Sequence, residues 1–452
     1  MKISKYTFFL SWELDREKGV DYYVYNSLSN AMMEIDGESW ALLKGIQENE
    51  ATVGDSVIDA DLYDALISRN VITENDEDDF LKYKAIIMRQ RAGREIMHLT
   101  LAPTMDCCFR CHYCFEKYKQ SGSMSSEIMN AIVSYVMSHK ELRFLKITWF
   151  GGEPLMAVGQ IEEFYDKLMS VWKDRQLKSN IITTGYHIDQ RVAGMMKDRG
   201  ISSVQITLDG MRETHNSIKN LPSGEDVFGR VLDNIELLND IAPEINIVIR
   251  VNLTRKNAAE YVPLMRLLHE RFKGRKNIAP APAFVMDRGT VDGHVDQSVL
   301  FNHRERSEFI LNLAQRGLDS TFIRYPDRFF HECAIRNDMA ISFDPEGYAY
   351  KCWEVIGNRD YAIGRLDSEG RLTDINERVL NRQLYGADPL DDPTCRKCRY
   401  LPICNGGCPI QRIENKFEGG RNNCCTYYKG YMEEFMKEHI RRRKMGFKNR
   451  MG

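Results

Sequence analysis

Twelve cysteines fall in two groups, four between Cys107 and Cys114 and eight between Cys333 and Cys425, with none in the long stretch between. Scattered thiols are a common core feature, but thiols gathered in loops are what metal ligation requires. Cys107, Cys111 and Cys114 are spaced C-x3-C-x2-C. Three thiolates can hold three irons of a four-iron, four-sulfur cube and leave the fourth iron open. An open metal position marks a catalytic rather than a structural centre. A zinc knuckle using His112 is the competing reading, but His112 lies too close to its neighbours to bind comfortably beside them. Cys108 adjoins a ligand and reads as a packing thiol.

The second group runs Cys333, thirteen residues, Gly347, four residues, Cys352, and then Cys395-x2-Cys398-x5-Cys404-x3-Cys408. A final thiol is Cys424 or Cys425, just before Tyr428-Lys429. Cys395 to Cys408 in isolation reads as a zinc ribbon. Seven spaced cysteines downstream of an open cluster loop read as iron–sulfur ligands.

Alternating elements must position the first loop. Strands are expected at His98–Ala102, Leu145–Phe150, Asn180–Thr184, Val204–Asp209, Ile245–Val251 and Ala281–Met286. Amphipathic stretches at Glu127–Ser138, Ile161–Trp172, Ala258–Phe272 and Arg306–Ala314 separate or follow them. Repeated strand–helix units imply a parallel sheet with helices outside it. Six units fall short of a closed barrel, and Pro282 suits the last strand to an edge. The expected fold is α/β: a partial (β/α)6, open TIM-like barrel over residues 95–320. A small α+β, winged-helix-like piece precedes it over 1–75, joined by a charged linker helix over 76–94. A cysteine-rich segment follows over 321–435, then a basic tail over 436–452. The first loop thus sits at the C-terminal end of a barrel strand, where such folds place their chemistry.

The C-x3-C-x2-C loop, with aromatic Tyr113 before its last cysteine, resembles the radical S-adenosylmethionine (SAM) superfamily. Gly151-Gly152-Glu153-Pro154 follows the second strand, like the family's glycine-rich motif for the amino group of the methionine moiety. Glycines let backbone carbonyls approach an ammonium, and Glu153 adds negative charge. Thr183-Thr184-Gly185 stands where the family often has T-N-G, so Thr184 replaces the Asn. Thr207-Leu-Asp209-Gly210 resembles the family's S-L-D-G, and Arg250 and Asn252 resemble its polar pair near the cofactor carboxylate and ribose. The second cysteine group resembles the SPASM extension. The resemblance, which covers residues 95 to 435, implies three [4Fe-4S] clusters and SAM. Cys107, Cys111 and Cys114 would hold the catalytic cluster. Cys333, Cys352 and Cys408 would hold one auxiliary cluster, and Cys395, Cys398, Cys404 and Cys425 the other. A flavodoxin or ferredoxin would act as reductant.

Lys plus Arg is 62 against 65 for Asp plus Glu, so no nucleic-acid partner is expected. The one basic run, Arg441 to Lys444 with Lys448 and Arg450, reads as a solvated tail. No stretch has the apolar length of a membrane span. The apolar patch Tyr6–Trp12 ends in charged residues without a cleavage site, so a cytoplasmic enzyme is expected. The first expected function is radical maturation of a ribosomally made peptide. A 5′-deoxyadenosyl radical would abstract hydrogen, and a thioether or carbon–carbon crosslink would form. The N-terminal piece would capture a leader peptide as an added strand. The alternative is an anaerobic sulfatase maturase forming formylglycine, whose pattern has Asp directly after the cysteine at position 352. Trp353-Glu354 stands there instead. An iron–sulfur electron carrier or a zinc-bound interaction protein is a third reading, which leaves Gly151–Pro154 without purpose.

Overall fold

The computed structural model describes residues 1–15, 19–54, 58–114, 121–286, 296–318, 326 and 333–444. Lys448 and Arg450 of the basic run lie outside them. The chain divides into two compact units, one of residues 92–301 and 334–386, the other of residues 1–91, 302–333 and 387–452. Among the described residues no helix is long and apolar enough to cross a membrane.

The second unit begins with short β1 (Lys2–Ile3), then β2 (Thr7–Asp15), β3 (Gly19–Asn26) and β4 (Ala31–Ile35). The last three form an antiparallel sheet in the order β2-β3-β4. Along β2, Phe8, Leu10 and Trp12 are buried and Phe9 and Ser11 half-buried, the period-two alternation of a strand covered on both faces. One face packs on α1 (Gly37–Glu48) and α2 (Ala60–Ser68) through Val24, Leu43 and Leu66. The other meets the C-terminal part of the same unit: Tyr400 lies edge-on to Phe8 at 5.1 Å. β5 (Ile72–Thr73) pairs with β1.

α3 (Asp76–Arg91) carries acidic residues in its first turn and Arg89 and Arg91 in its last, which suits the helix dipole. Phe80, Tyr83 and Ile87 form a core with Tyr6, Leu28, Leu390 and Leu401, against which Cys395 packs. At its end Arg91 makes a buried, two-pronged ion pair with Asp388.

In the barrel unit, β6 (Ile96–Leu101), β7 (Phe144–Trp149), β8 (Gln176–Thr183), β9 (Ile201–Leu208), β10 (Asn246–Leu253) and β11 (Ile278–Phe284) are parallel neighbours in chain order. α4 (Ser126–Ser138), α5 (Val158–Val171), α6 (Gln190–Asp198), α7 (Arg212–Ile218) with α8 (Val227–Ile241), and α9 (Tyr261–Arg271) connect them. Leu145, Ile147 and Trp149 of β7, and Ile247, Ile249, Val251 and Leu253 of β10, are the buried alternate residues. The intervening positions, among them Thr148, Asn180, Thr207, Arg250 and Asn252, are half-buried and mostly polar. This is the partial (β/α)6 barrel expected. β11, with its prolines, is an edge strand.

One feature was not anticipated. The sheet continues past β6 on its other side. β12 (Ala340–Phe343) pairs parallel to β6, with Ala340 opposite His98 and Phe343 opposite Leu101. β13 (Tyr348–Tyr350), β14 (Gly364–Leu366) and β15 (Leu372–Thr373) then extend it as an antiparallel meander. Four residues buried without alternation are too short a run for periodicity to reveal. The other unit closes with α10 (His303–Gln315), the short α11 of the barrel unit (Glu377–Asn381) intervening in the chain, then α12 (Pro393–Arg396), α13 (Leu401–Cys404), α14 (Pro409–Phe417) and α15 (Met432–Lys444).

Removing one partner of the Arg91–Asp388 pair strands a buried charge. Asp388→Ala should therefore cost about 3–5 kcal/mol in urea unfolding, and Arg91→Met/Asp388→Leu together much less. Equal losses in the single and double variants would refute the pair's role.

Candidate active site at the barrel's C-terminal strand ends

The cysteine loop follows β6, and its described residues contain no helix and no strand beyond one bridge, Thr104 to Ser123. It is held by backbone contact with the turn after β7. Gly152 N donates to Thr104 O at 3.2 Å, and Glu153 N to Asp106 O at 2.8 Å. A Cβ on Gly151 would come within 2.4 Å of Thr104 O. One on Gly152 would come within 2.3 Å of Asp106 O and 2.4 Å of Met105 O. The glycines are thus required for the loop to lie against this turn, a reason distinct from the approach to an ammonium argued from the sequence.

Glu153 is fully buried and its carboxylate accepts four hydrogen bonds. Leu155 N (3.0 Å) and Thr183 Oγ1 (2.6 Å) donate to Oε1, and Thr184 N (2.7 Å) and Oγ1 (2.6 Å) to Oε2. Glu153 and Thr184 therefore tie the turn after β7 to the end of β8. Pro154 opens a single turn, Pro154–Ala157, in which Pro154, Leu155 and Ala157 are buried.

A second, partly buried network gathers around Asp209, which directly follows β9. The Tyr113 hydroxyl donates to Asp209 Oδ1. Lys219 Nζ reaches Asp209 Oδ2 at 2.6 Å and Tyr113 Oη at 3.2 Å. Asn252 Nδ2 donates to Tyr113 Oη at 3.1 Å, and Arg250 Nε to Asn252 Oδ1 at 3.1 Å. Thr207 lies opposite Arg250 in the sheet. Burial alone would raise the Asp209 carboxyl, but Lys219 and His215 outweigh it and hold it below the usual range. Burial would lower Lys219, and Asp209 outweighs that too. His215, pushed to about 4 by burial and then by Lys219, accepts from Asp209 N through Nδ1 at 3.2 Å. Burial and then Asp209 push the Tyr113 phenol well up. The structure thus brings Tyr113, Asp209, Arg250 and Asn252 into one network, and Glu153 and Thr184 into another. Lys219, missed in the sequence, joins the first and stands 3.8 Å from Cys111 Sγ.

In the other unit, Cys395, Cys398, Cys404, Cys408, Cys424 and Cys425 lie along one folded segment. Asn405, Gly406 and Gly407 follow Cys404 with positive φ, and a Cβ on Gly407 would collide with Cys424 O. Burial pushes the Cys404 and Cys424 thiols up to about 11. Cys352 belongs to the barrel unit, and Cys333 and Cys408 to this one.

Among the described residues no three His, Cys, Asp or Glu side chains converge on a single ion. A four-iron cube asks something different: each thiolate binds its own iron, so the sulfurs surround a volume rather than a point. Soft thiols in loops and short helices, without convergent carboxylates, fit iron–sulfur ligation.

The Radical SAM superfamily profile matches residues 101–268. A cysteine-type anaerobic sulfatase-maturating enzyme of Clostridium perfringens is 22% identical over 364 residues, covering 72% of this chain and 92% of its own. The structure of native anSMEcpe with bound AdoMet and Kp18Cys peptide aligns with a TM-score of 0.58 at 18% identity, over 78% of this chain and 99% of the other. That of Streptococcus suis SuiB bound to precursor peptide SuiA aligns with a TM-score of 0.53 at 13% identity, over 94% and 99%.

Gly152→Ala should push the cysteine loop away and lower the iron bound after reconstitution. Gly159→Ala on α5, where a Cβ meets nothing within 4 Å, should leave it unchanged. Glu153→Gln places an amide among four donors and should cost about 1–3 kcal/mol in unfolding. Full iron content in Gly152→Ala would show that the close approach is dispensable.

Proposed function

We propose that this chain is a radical SAM enzyme whose substrate is a ribosomally made peptide, into which it installs a thioether or carbon–carbon crosslink. The observation that carries this reading is the N-terminal piece. Its three-stranded sheet ends in β4, an edge strand of the kind that accepts an extended peptide. The SuiB structure, solved with its precursor peptide, aligns over 94% of the chain, against 78% for anSMEcpe. The difference is close to the share taken by the first 75 residues.

Cys107, Cys111 and Cys114 would hold the catalytic cluster, whose chemistry with SAM bound is one-electron cleavage of a carbon–sulfur bond, yielding a radical that abstracts hydrogen from carbon. The chain's own residues orient the participants. Gly151 and Gly152 seat the cysteine loop, and Glu153 with Thr184 fixes that seat to β8. Tyr113, Asp209 and Asn252 anchor the loop's far side to β9 and β10, presenting Arg250 and Thr207 beside them. These side chains offer a cation, a carboxylate and amide donors to the polar groups of SAM. Burial of Asp209, His215 and Lys219 keeps water from the base of this network. The remaining ligands named from the sequence are assigned to two auxiliary clusters.

Formylglycine formation is the second reading, favoured by the Clostridium perfringens relative. Trp353 and Glu354 weigh against it, since Asp is absent directly after Cys352.

Wild type reconstituted anaerobically with iron and sulfide should form 5′-deoxyadenosine when reduced with SAM. A Cys107/Cys111/Cys114→Ala variant should lose one cube of iron and all of this product. With a precursor peptide encoded beside the gene, mass spectrometry should find hydrogen lost and sulfur retained. Loss of sulfur with gain of an aldehyde would establish formylglycine instead.

A further inference from the structure

Two cations stand at the sulfurs of the Cys395–Cys425 group. Arg412, on α14, brings Nη1 to 3.5 Å from Cys395 Sγ. Lys429 brings Nζ to 3.7 Å from Cys425 Sγ. Arg412 is not part of the cysteine spacing, and Lys429 follows its last thiol. Arg412 is held from several directions: Nε donates to Ala387 O at 2.9 Å, Nη2 to Asp392 Oδ2 at 2.7 Å, and Nη1 also to Gly406 O at 3.5 Å. Its side chain is only 13% exposed. A guanidinium so fixed places its positive end on a sulfur by construction. At the barrel loop Lys219 Nζ approaches Cys111 Sγ at 3.8 Å and is likewise paired with a carboxylate, Asp209 at 2.6 Å.

We propose that Arg412 and Lys429 raise the one-electron reduction potential of the cluster held by Cys395, Cys398, Cys404 and Cys425. This rests on assigning those thiols to an iron–sulfur cube. A cube with four thiolate ligands becomes one charge more negative on reduction. A cation hydrogen-bonded to a ligand sulfur lowers the energy of the more negative state. Asp392, which accepts from Arg412 Nη2 at 2.7 Å and from Cys395 N at 3.3 Å, offsets part of the Arg412 charge. Arg412 is nearly buried and so weakly screened, while Lys429 faces solvent, so Arg412 has the larger effect.

The test is a reductive titration of the reconstituted full-length enzyme, followed by electron paramagnetic resonance, after iron counting. In Arg412→Gln the ratio of reduced to oxidised auxiliary cluster at a fixed potential should fall at least tenfold, about 59 mV for one electron. Arg412→Lys should recover most of that, and Lys429→Met should shift the same signal less. The Cys107/Cys111/Cys114 cluster should keep its midpoint throughout. Should Arg412→Gln fail to retain its iron, Lys429→Met, altering a solvent-facing side chain, gives the reading. Full iron content with every midpoint unmoved would overturn the proposal. Wild type without auxiliary iron would instead overturn the cluster assignment beneath it.

Discussion

The cysteine loop after β6 has almost no regular structure of its own, so its position depends on how closely its backbone can lie against the turn after β7. That approach is permitted only because Gly151 and Gly152 have no Cβ. The constraint propagates. Glu153, the next residue, spends both carboxylate oxygens on Leu155, Thr183 and Thr184, so the turn cannot shift without releasing buried donors. On its far side the loop is anchored by a phenol, Tyr113, to an aspartate, a lysine and an asparagine. The ends of β7, β8, β9 and β10 thereby act as one rigid support for a segment that could not order itself.

The cysteine-rich segment is solved differently. There the support is hydrophobic and comes from α3 and the N-terminal sheet, through Tyr6, Phe80 and Tyr83 against Leu390 and Leu401. Polar contacts fix the finer geometry. Tyr83 donates to Asn405, whose left-handed conformation turns the chain after Cys404, and Ser27 donates to Arg399 O. A segment rich in ligands and poor in apolar residues thus borrows its core from the opposite end of the sequence.

Much of this was legible in the residues alone. β7, β8, β9 and β10 announce themselves by alternation of buried and less buried positions, β11 is apolar throughout, and each observed parallel strand overlaps its expected span. Cysteine spacing marks both groups, because ligand intervals are set by chemistry rather than by context. β12 escaped notice because four consecutive buried residues carry no period. Lys219 escaped because a single lysine in a polar helix end, Ser217-Ile218-Lys219, is indistinguishable from a solvated one; its burial follows from where Asp209 lies in three dimensions. Glu153 and the glycines were found by motif, but their contacts depend on which backbone passes beside them, and that is a property of the folded chain.

The pairing of β6 with β12 has a bearing on how the protein is made. β6 has a local neighbour in β7, but its other edge waits for residues 340–343, some 240 positions later in the chain. At typical synthesis rates of about 5–20 residues per second, that edge stands open for roughly ten to fifty seconds. An unpaired strand edge invites association with other chains, and here it leads directly into the thiols of the cysteine loop. The nascent chain therefore passes through a period in which an unpaired strand edge adjoins cysteine thiols, and association with other chains at that edge is a hazard that pairing with β12 removes.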